Sequence, residues 1–127
     1  MPATKVLLYR DDDDSVPLLD WLAELESRDR AAYRKCRRYL LRLAQVGNEL
    51  RRPVADYLRD GIYELRVRHS RVNYRMLYGF VGNNVVLVSH GITKERLVPA
   101  SEIELALRRL AQYRNNPNKY SFDDDEE

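Results

Sequence analysis

The most informative run in the chain is Gly61-Ile62-Tyr63-Glu64-Leu65-Arg66-Val67-Arg68. On an extended backbone Tyr63, Leu65 and Val67 point one way, and Ile62, Glu64, Arg66 and Arg68 point the other. The period of two marks a strand with one apolar and one charged face. His69-Ser70-Arg71 then makes a connection, Val72–Phe80 is the next strand, and Gly82-Asn83-Asn84 is a tight turn of hairpin type. Val85-Val86-Leu87-Val88 is apolar without interruption, as expected of a central strand buried on both faces. This half of the chain is predicted to be a three-stranded meander.

Upstream the period is helical. Lys5–Tyr9 is a short β-like run closed by the charge block Asp11–Asp14. Ser15-Val16-Pro17 suits a helix start, with Pro in the first turn. Leu18, Trp21, Leu22 and Leu25 make the apolar stripe of a first helix, and Ser27 is read as the cap of a second. In that second helix Ala32, Cys36, Tyr39, Leu40 and Leu43 recur at helical spacing, and Gly47 supplies the stop. Downstream, Ser101-x-x-Glu104 after Pro99 has the form of a capping box. Ile103, Leu107 and Leu110 would bury one side of a last helix ending near Gln112. The fold class expected is α+β: an N-terminal strand and an α-hairpin packed on a small antiparallel-rich sheet, with a C-terminal helix. Residues 1–116 form a single domain in this reading, and 117–127 an acidic, disordered tail.

A chain of 127 residues fits one domain with its own core. One cysteine excludes an internal disulfide framework, and with two histidines it leaves too few soft ligands for a structural zinc site. Neither a metal nor another cofactor is expected. The N-terminus does not read as a secretory signal and no run is long enough to span a membrane, so the cytoplasm is the expected compartment. The net charge of +2 hides an asymmetry, because nine of the 20 acidic residues lie in Asp11–Asp14 and Asp123–Glu127. The rest of the chain sets 22 basic against 11 acidic residues, a surplus of +11, and 18 of the basic residues are Arg. Arg's planar fork suits phosphate and base stacking, so a polyanion is the expected partner. Arg28–Arg52 alone holds nine basic and two acidic residues, giving the second helix a positive face.

Charged side chains on a strand face need water, partners or a ligand. The plainer reading of Glu64, Arg66 and Arg75 is a solvent-facing sheet with a cross-strand ion pair. The functional reading is a concave face with several cations aimed at one phosphate, which would stabilise a pentavalent transition state. His90, at the edge of the buried strand, is either a satisfied core residue or a proton shuttle near Arg66, Arg75 and Lys94. His69 reads as exposed, and Cys36 as core.

The ordered set Gly61–Val67, Tyr74-Arg75-Met76-Leu77-Tyr78, Val85–Gly91, Thr93-Lys94-Glu95, Pro99 and Glu102-Ile103-Glu104-Leu105-Ala106 resembles the RelE/ParE superfamily, in its HigB-like, phage-associated branch. The resemblance covers roughly Leu7 to Tyr113. It implies the toxin of a type II toxin–antitoxin system with a RelE-like fold, a metal-independent and ribosome-dependent mRNA endoribonuclease that inhibits translation. It implies a cognate helix-turn-helix antitoxin, and the ribosome and mRNA as further partners. By motif position Arg66 and Arg75 would hold the scissile phosphate, and Lys94 would be the basic residue after the central strand. His90, and secondarily Glu64, would move protons. Arg34, Arg37, Arg38 and Arg42 on the second helix, with Arg68, would bind RNA backbone. The chain departs from the pattern at Glu64, where the strongest RelE enzymes carry lysine, and at Pro99-Ala100-Ser101, where they carry tyrosine. The competing readings are a ParE-like DNA gyrase inhibitor and a non-catalytic nucleic-acid-binding regulatory module.

Overall fold

The computed structural model describes residues 3–93 and 96–124. The elements are β1 (Lys5–Tyr9), α1 (Pro17–Arg28), α2 (Arg30–Val46), a short 3-10 turn (Gly47–Glu49), β2 (Ala55–Arg59), β3 (Ile62–His69), β4 (Val72–Gly82), β5 (Val85–Thr93), α3 (Ala100–Asn115) and β6 (Ser121–Phe122). The architecture is α+β, as the sequence suggested. One mixed six-stranded sheet runs in the order β2-β3-β4-β5-β1-β6. β2 to β5 are an antiparallel meander, and β1 lies parallel to β5 with Lys5 opposite Val85. No helix among the described residues is long and apolar enough to cross a membrane.

The period-two reading of β3 holds residue by residue, and the register carries the same division of faces to β4. Leu65, Val67, Tyr74, Met76 and Tyr78 pack with Leu8, Val86 and Val88 under α1 and α2. On the opposite face Ile62, Leu77, Leu7, Tyr9 and Leu87 pack under Ile103, Ala106 and Leu110 of α3. Two glycines allow these close layers. A Cβ on Gly91 would run into the Trp21 ring of α1, and one on Gly79 into Leu110 of α3. The Ser70-Arg71 turn between β3 and β4 has both residues at positive φ, the geometry of a two-residue hairpin whose twist matches its strands.

Several local expectations are corrected. The helices part at Asp29, whose extended backbone breaks the chain and whose carboxylate accepts from the Ala32 N–H at 3.1 Å. Ser27, expected there, instead donates its hydroxyl to the Glu24 carbonyl inside α1. The Ser101/Glu104 capping box does not form. Pro99 occupies the cap and α3 starts at Ala100, so Ser101 already lies inside the first turn. β2 was not foreseen, and it adds a fourth strand to the meander. The segment after residue 117 is placed on the sheet rather than free. Ser121 and Phe122 pair with Tyr9 and Leu8, Asp123 meets Lys5 at 2.8 Å, and Asp124 meets Arg37 at 3.4 Å. Residues 125–127 lie outside the described part of the chain.

Candidate functional site

Cross-strand register places the candidate residues in rows on the face that α3 half covers. Ile62, Gly79 and Leu87 form the first row, then Glu64, Leu77 and His90, then Arg66, Arg75 and Ile92, then Arg68 and Asn73. Rows on one face of a strand recur about every 6.7 Å, twice the rise per residue. The face therefore grades from apolar beneath α3 to cationic at its bare end.

Glu64 is the pivot of that gradient. It is buried, with only 2% of its surface exposed. Its Oε2 accepts from Arg66 Nη2 at 2.8 Å, and its Oε1 stands 2.8 Å from Arg75 Nε, a charge contact whose angle falls outside hydrogen-bond geometry. Arg75 is also buried and donates through Nη2 to the Arg96 carbonyl at 2.8 Å. A carboxylate this far from water is tolerable only with such cationic partners. Arg66 is about a third exposed, and its Nε is buried with no hydrogen-bond partner among the described residues. Orphaned buried donors are uncommon and call for an explanation, an absent ion among them.

An open cleft of about 530 Å³ lies over this end of the sheet. It is lined by Arg66, Arg68, Asn73 and Arg75 from the strands, by Arg96, by Lys35 and Tyr39 of α2, and by Pro53 and Val54. The β2–β3 pairing ends at Ala55 opposite Leu65, which leaves the last part of β3 to be met by other groups. The Val54 carbonyl accepts from Arg66 N at 2.7 Å, and Lys35 Nζ donates to the Arg68 carbonyl at 2.6 Å. Five cationic side chains thus share one concavity.

The structure brings Glu64, Arg66, Arg68 and Arg75 together. His90 shares their face as the diagonal neighbour of Arg75, but it is turned to α3 and does not line the cleft. Its Nε2–H donates to Glu102 Oε1 and its Nδ1 accepts from the Ser89 hydroxyl, both at 2.7 Å, which fits the neutral tautomer. Burial lowers its pKa below the usual histidine value. The Glu102 hydrogen bond opposes that shift and the Arg109 cation adds to it. Lys94 lies outside the described residues. On α2, Arg34, Arg38 and Arg42 are exposed, and Arg37 leans toward Asp124. At about 100° per residue, Arg42 returns to the flank of Lys35 two turns on, with Arg38 close beside it. Arg37 takes the opposite flank.

Lys35, Tyr39 and Arg96 were missed as cleft residues. Arg96 stands two residues past Lys94 in the same basic segment, so its charge was a usable signal. Lys35 and Tyr39 had none, because only the packing of α2 across the sheet brings them to β3. Cys36 is core, as read, and burial pushes its thiol up to about 12, far from a nucleophile's range.

These features define a small α+β protein whose sheet ends in a cationic cleft suited to an anion. A model of the phage-derived, Gp49-like protein family matches residues 20–111, most of the chain. The chain belongs to that family, which is a RelE/ParE-like toxin family. No match is found among curated proteins.

Proposed function

We propose that the protein is the toxin of a type II toxin–antitoxin system in the HigB-like branch, acting in the cytoplasm as a ribosome-dependent mRNA endoribonuclease. The observation that supports this most is the convergence of Lys35, Arg66, Arg68, Arg75 and Arg96 on one cleft, with the buried Arg66 Nε lacking a partner among the described residues. An RNA phosphate would supply counter-charge to the cations that Glu64 alone does not balance. In the reaction the ribose 2′ oxygen bonds to the adjacent phosphorus, the 5′ oxygen leaves, and a cyclic phosphate and a 5′ hydroxyl result. The 2′ oxygen loses a proton and the leaving oxygen gains one. Arg66 and Arg75 carry the charge that builds on the phosphoryl oxygens. Lys94 follows β5 in sequence and adds a further cation in this reading.

Proton transfer is assigned to His90, which is neutral at pH 7, the state a general base needs. To act, its ring must turn from Ser89 and Glu102 toward the cleft, which it does not line in this structure, and the leaving oxygen takes its proton from water. Glu64, neutralised by two guanidiniums, aligns them and accepts a proton only secondarily. Arg38 and Arg42 extend the cleft's charge along α2, and Arg34 and Arg37 add to the RNA-facing helix. These contacts give position rather than sequence readout. A helix-turn-helix antitoxin is the proposed cellular partner.

The test is inducible expression in a bacterium, with primer extension on an abundant mRNA, for wild type, Arg66→Ala and Arg75→Ala. Growth arrest with discrete in-frame cuts, both lost in Arg66→Ala, is the expected result. Arrest with intact mRNA would overturn the nuclease reading and direct the work to a gyrase supercoiling assay. Binding of RNA without arrest or cleavage would leave a regulatory module.

A further inference from the structure

We propose that the cleft also holds a base: that Tyr39, Pro53 and Val54 form a stacking subsite for one ribonucleotide whose phosphate sits on Arg66, Arg75 and Arg96. This rests on the phosphate reading of the cleft and concerns what lies beside the phosphate. The cleft lining is mixed in chemistry. Part of the lining is guanidinium and ammonium; part is a phenol ring, a pyrrolidine ring and a valine, with Lys35 and Tyr39 one turn apart on α2. A bare phosphate would use only the cationic part. A nucleotide uses both, and a volume of about 530 Å³ lies within the ~300–1,000 Å³ of small-molecule sites.

The two parts are also joined at the right place. Val54 is tied to Arg66 through the 2.7 Å bond between the Val54 carbonyl and Arg66 N. An apolar surface and a phosphate-seeking guanidinium therefore stand on adjacent backbone, as base and phosphate stand on adjacent parts of one nucleotide. Tyr39 is half-buried, packed against the core and also lining the cleft. A leucine would serve the core equally well. Only an aromatic ring offers a face for a base, and such stacking tolerates any base because each has a π-face.

The test is a titration of the full chain, followed by NMR or calorimetry, with three probes: AMP, ribose 5-phosphate and inorganic phosphate. AMP is expected to bind about fivefold or more tighter than ribose 5-phosphate, the increment that base–aromatic stacking supplies. Tyr39→Leu should bring the two probes to within about twofold, Tyr39→Phe should keep the difference, and Arg66→Ala should weaken all three probes together. If the wild type binds the three equally, or if Tyr39→Leu leaves the AMP advantage intact, the base subsite is overturned while the phosphate cleft stands. If none of the three binds, the phosphate reading itself fails and takes the subsite with it.

Discussion

The two ends of one sheet face have opposite characters although the same three strands build both. At the α3 end, Ile62, Leu77 and Leu87 are fully buried, and Gly79 lets Leu110 come down onto the strands. Two rows along, Arg66 and Arg75 occupy the same pleat positions, and the cover is a cleft instead of a helix. α3 starts at Ala100, so the chain from Arg96 to Pro99 borders the open end without closing it. What distinguishes a core from an open cationic cleft here is where one helix begins.

Four outcomes bear on that contrast, taken from the largest effect down. Glu64→Ala removes the buried anion between two guanidiniums and is expected to cost ~3–5 kcal/mol, because it strands the buried Arg75 charge. Chemical denaturation measures it, and a loss below about 1 kcal/mol would mean that other groups hold Arg75 in place. At the covered end, Leu77→Ala should cost ~2–5 kcal/mol through cavity formation while phosphate affinity stays unchanged. A parallel fall in affinity would show that the two ends are not separable.

Arg66→Ala should act mainly on binding. Its own side chain is partly exposed, but it donates to the buried Glu64 carboxylate, so a stability loss of ~1–3 kcal/mol, smaller than that of Glu64→Ala, accompanies the loss of phosphate binding and growth arrest. The smallest effect is expected from Arg38→Ala and Arg42→Ala on the helix flank. Each should lower the salt slope of RNA binding by about one and leave the bases preferred unaltered. A slope equal to that of the wild type would remove α2 from the interface.

His90, at the seam between the two ends, gives a pH signature. Its folded pKa lies below the unfolded value of about 6.5, so on acidification the unfolded chain takes up the proton first. Stability is therefore full above about pH 6.5 and falls as pH drops from there through the folded value. His90→Gln should flatten the denaturation midpoint across that range. An equally steep fall in the variant would assign the loss to other groups.

Much of this was legible because it is local. Alternation in 62–68 separated the faces of β3 and put Glu64 and Arg66 on one of them; that Arg75 of β4 stands beside Arg66 comes from the register. The helical period gave α1 and α2. β2 escaped because Ala55-Asp56-Tyr57-Leu58-Arg59 lacks a clean alternation and follows two arginines and a proline; it becomes a strand by pairing with β3. Asp29 outcompeted Ser27 as the cap because its carboxylate reaches the Ala32 N–H while the serine hydroxyl is spent within α1. For the cleft, the shared face of Arg66 and Arg68 was readable from strand period, while Arg96, which lies beyond β5, was not. Nor were Tyr39 and Lys35, since their place depends on how α2 crosses the sheet.

The parallel seat of β1 beside β5 has a consequence for how the chain is made. Every neighbour in the meander is reached through a short turn, but Lys5–Leu8 pair with Val85–Val88, 80 residues on in the sequence. Loop closure on that scale comes late, after the local hairpins have formed. During synthesis the strand that emerges first thus waits for its neighbours, with Leu7 and Leu8 lacking their β5 partners until that strand has left the ribosome, and with β6 joining later still. The first strand made is therefore among the later ones assembled, and a translating ribosome must finish β6 before the sheet is whole.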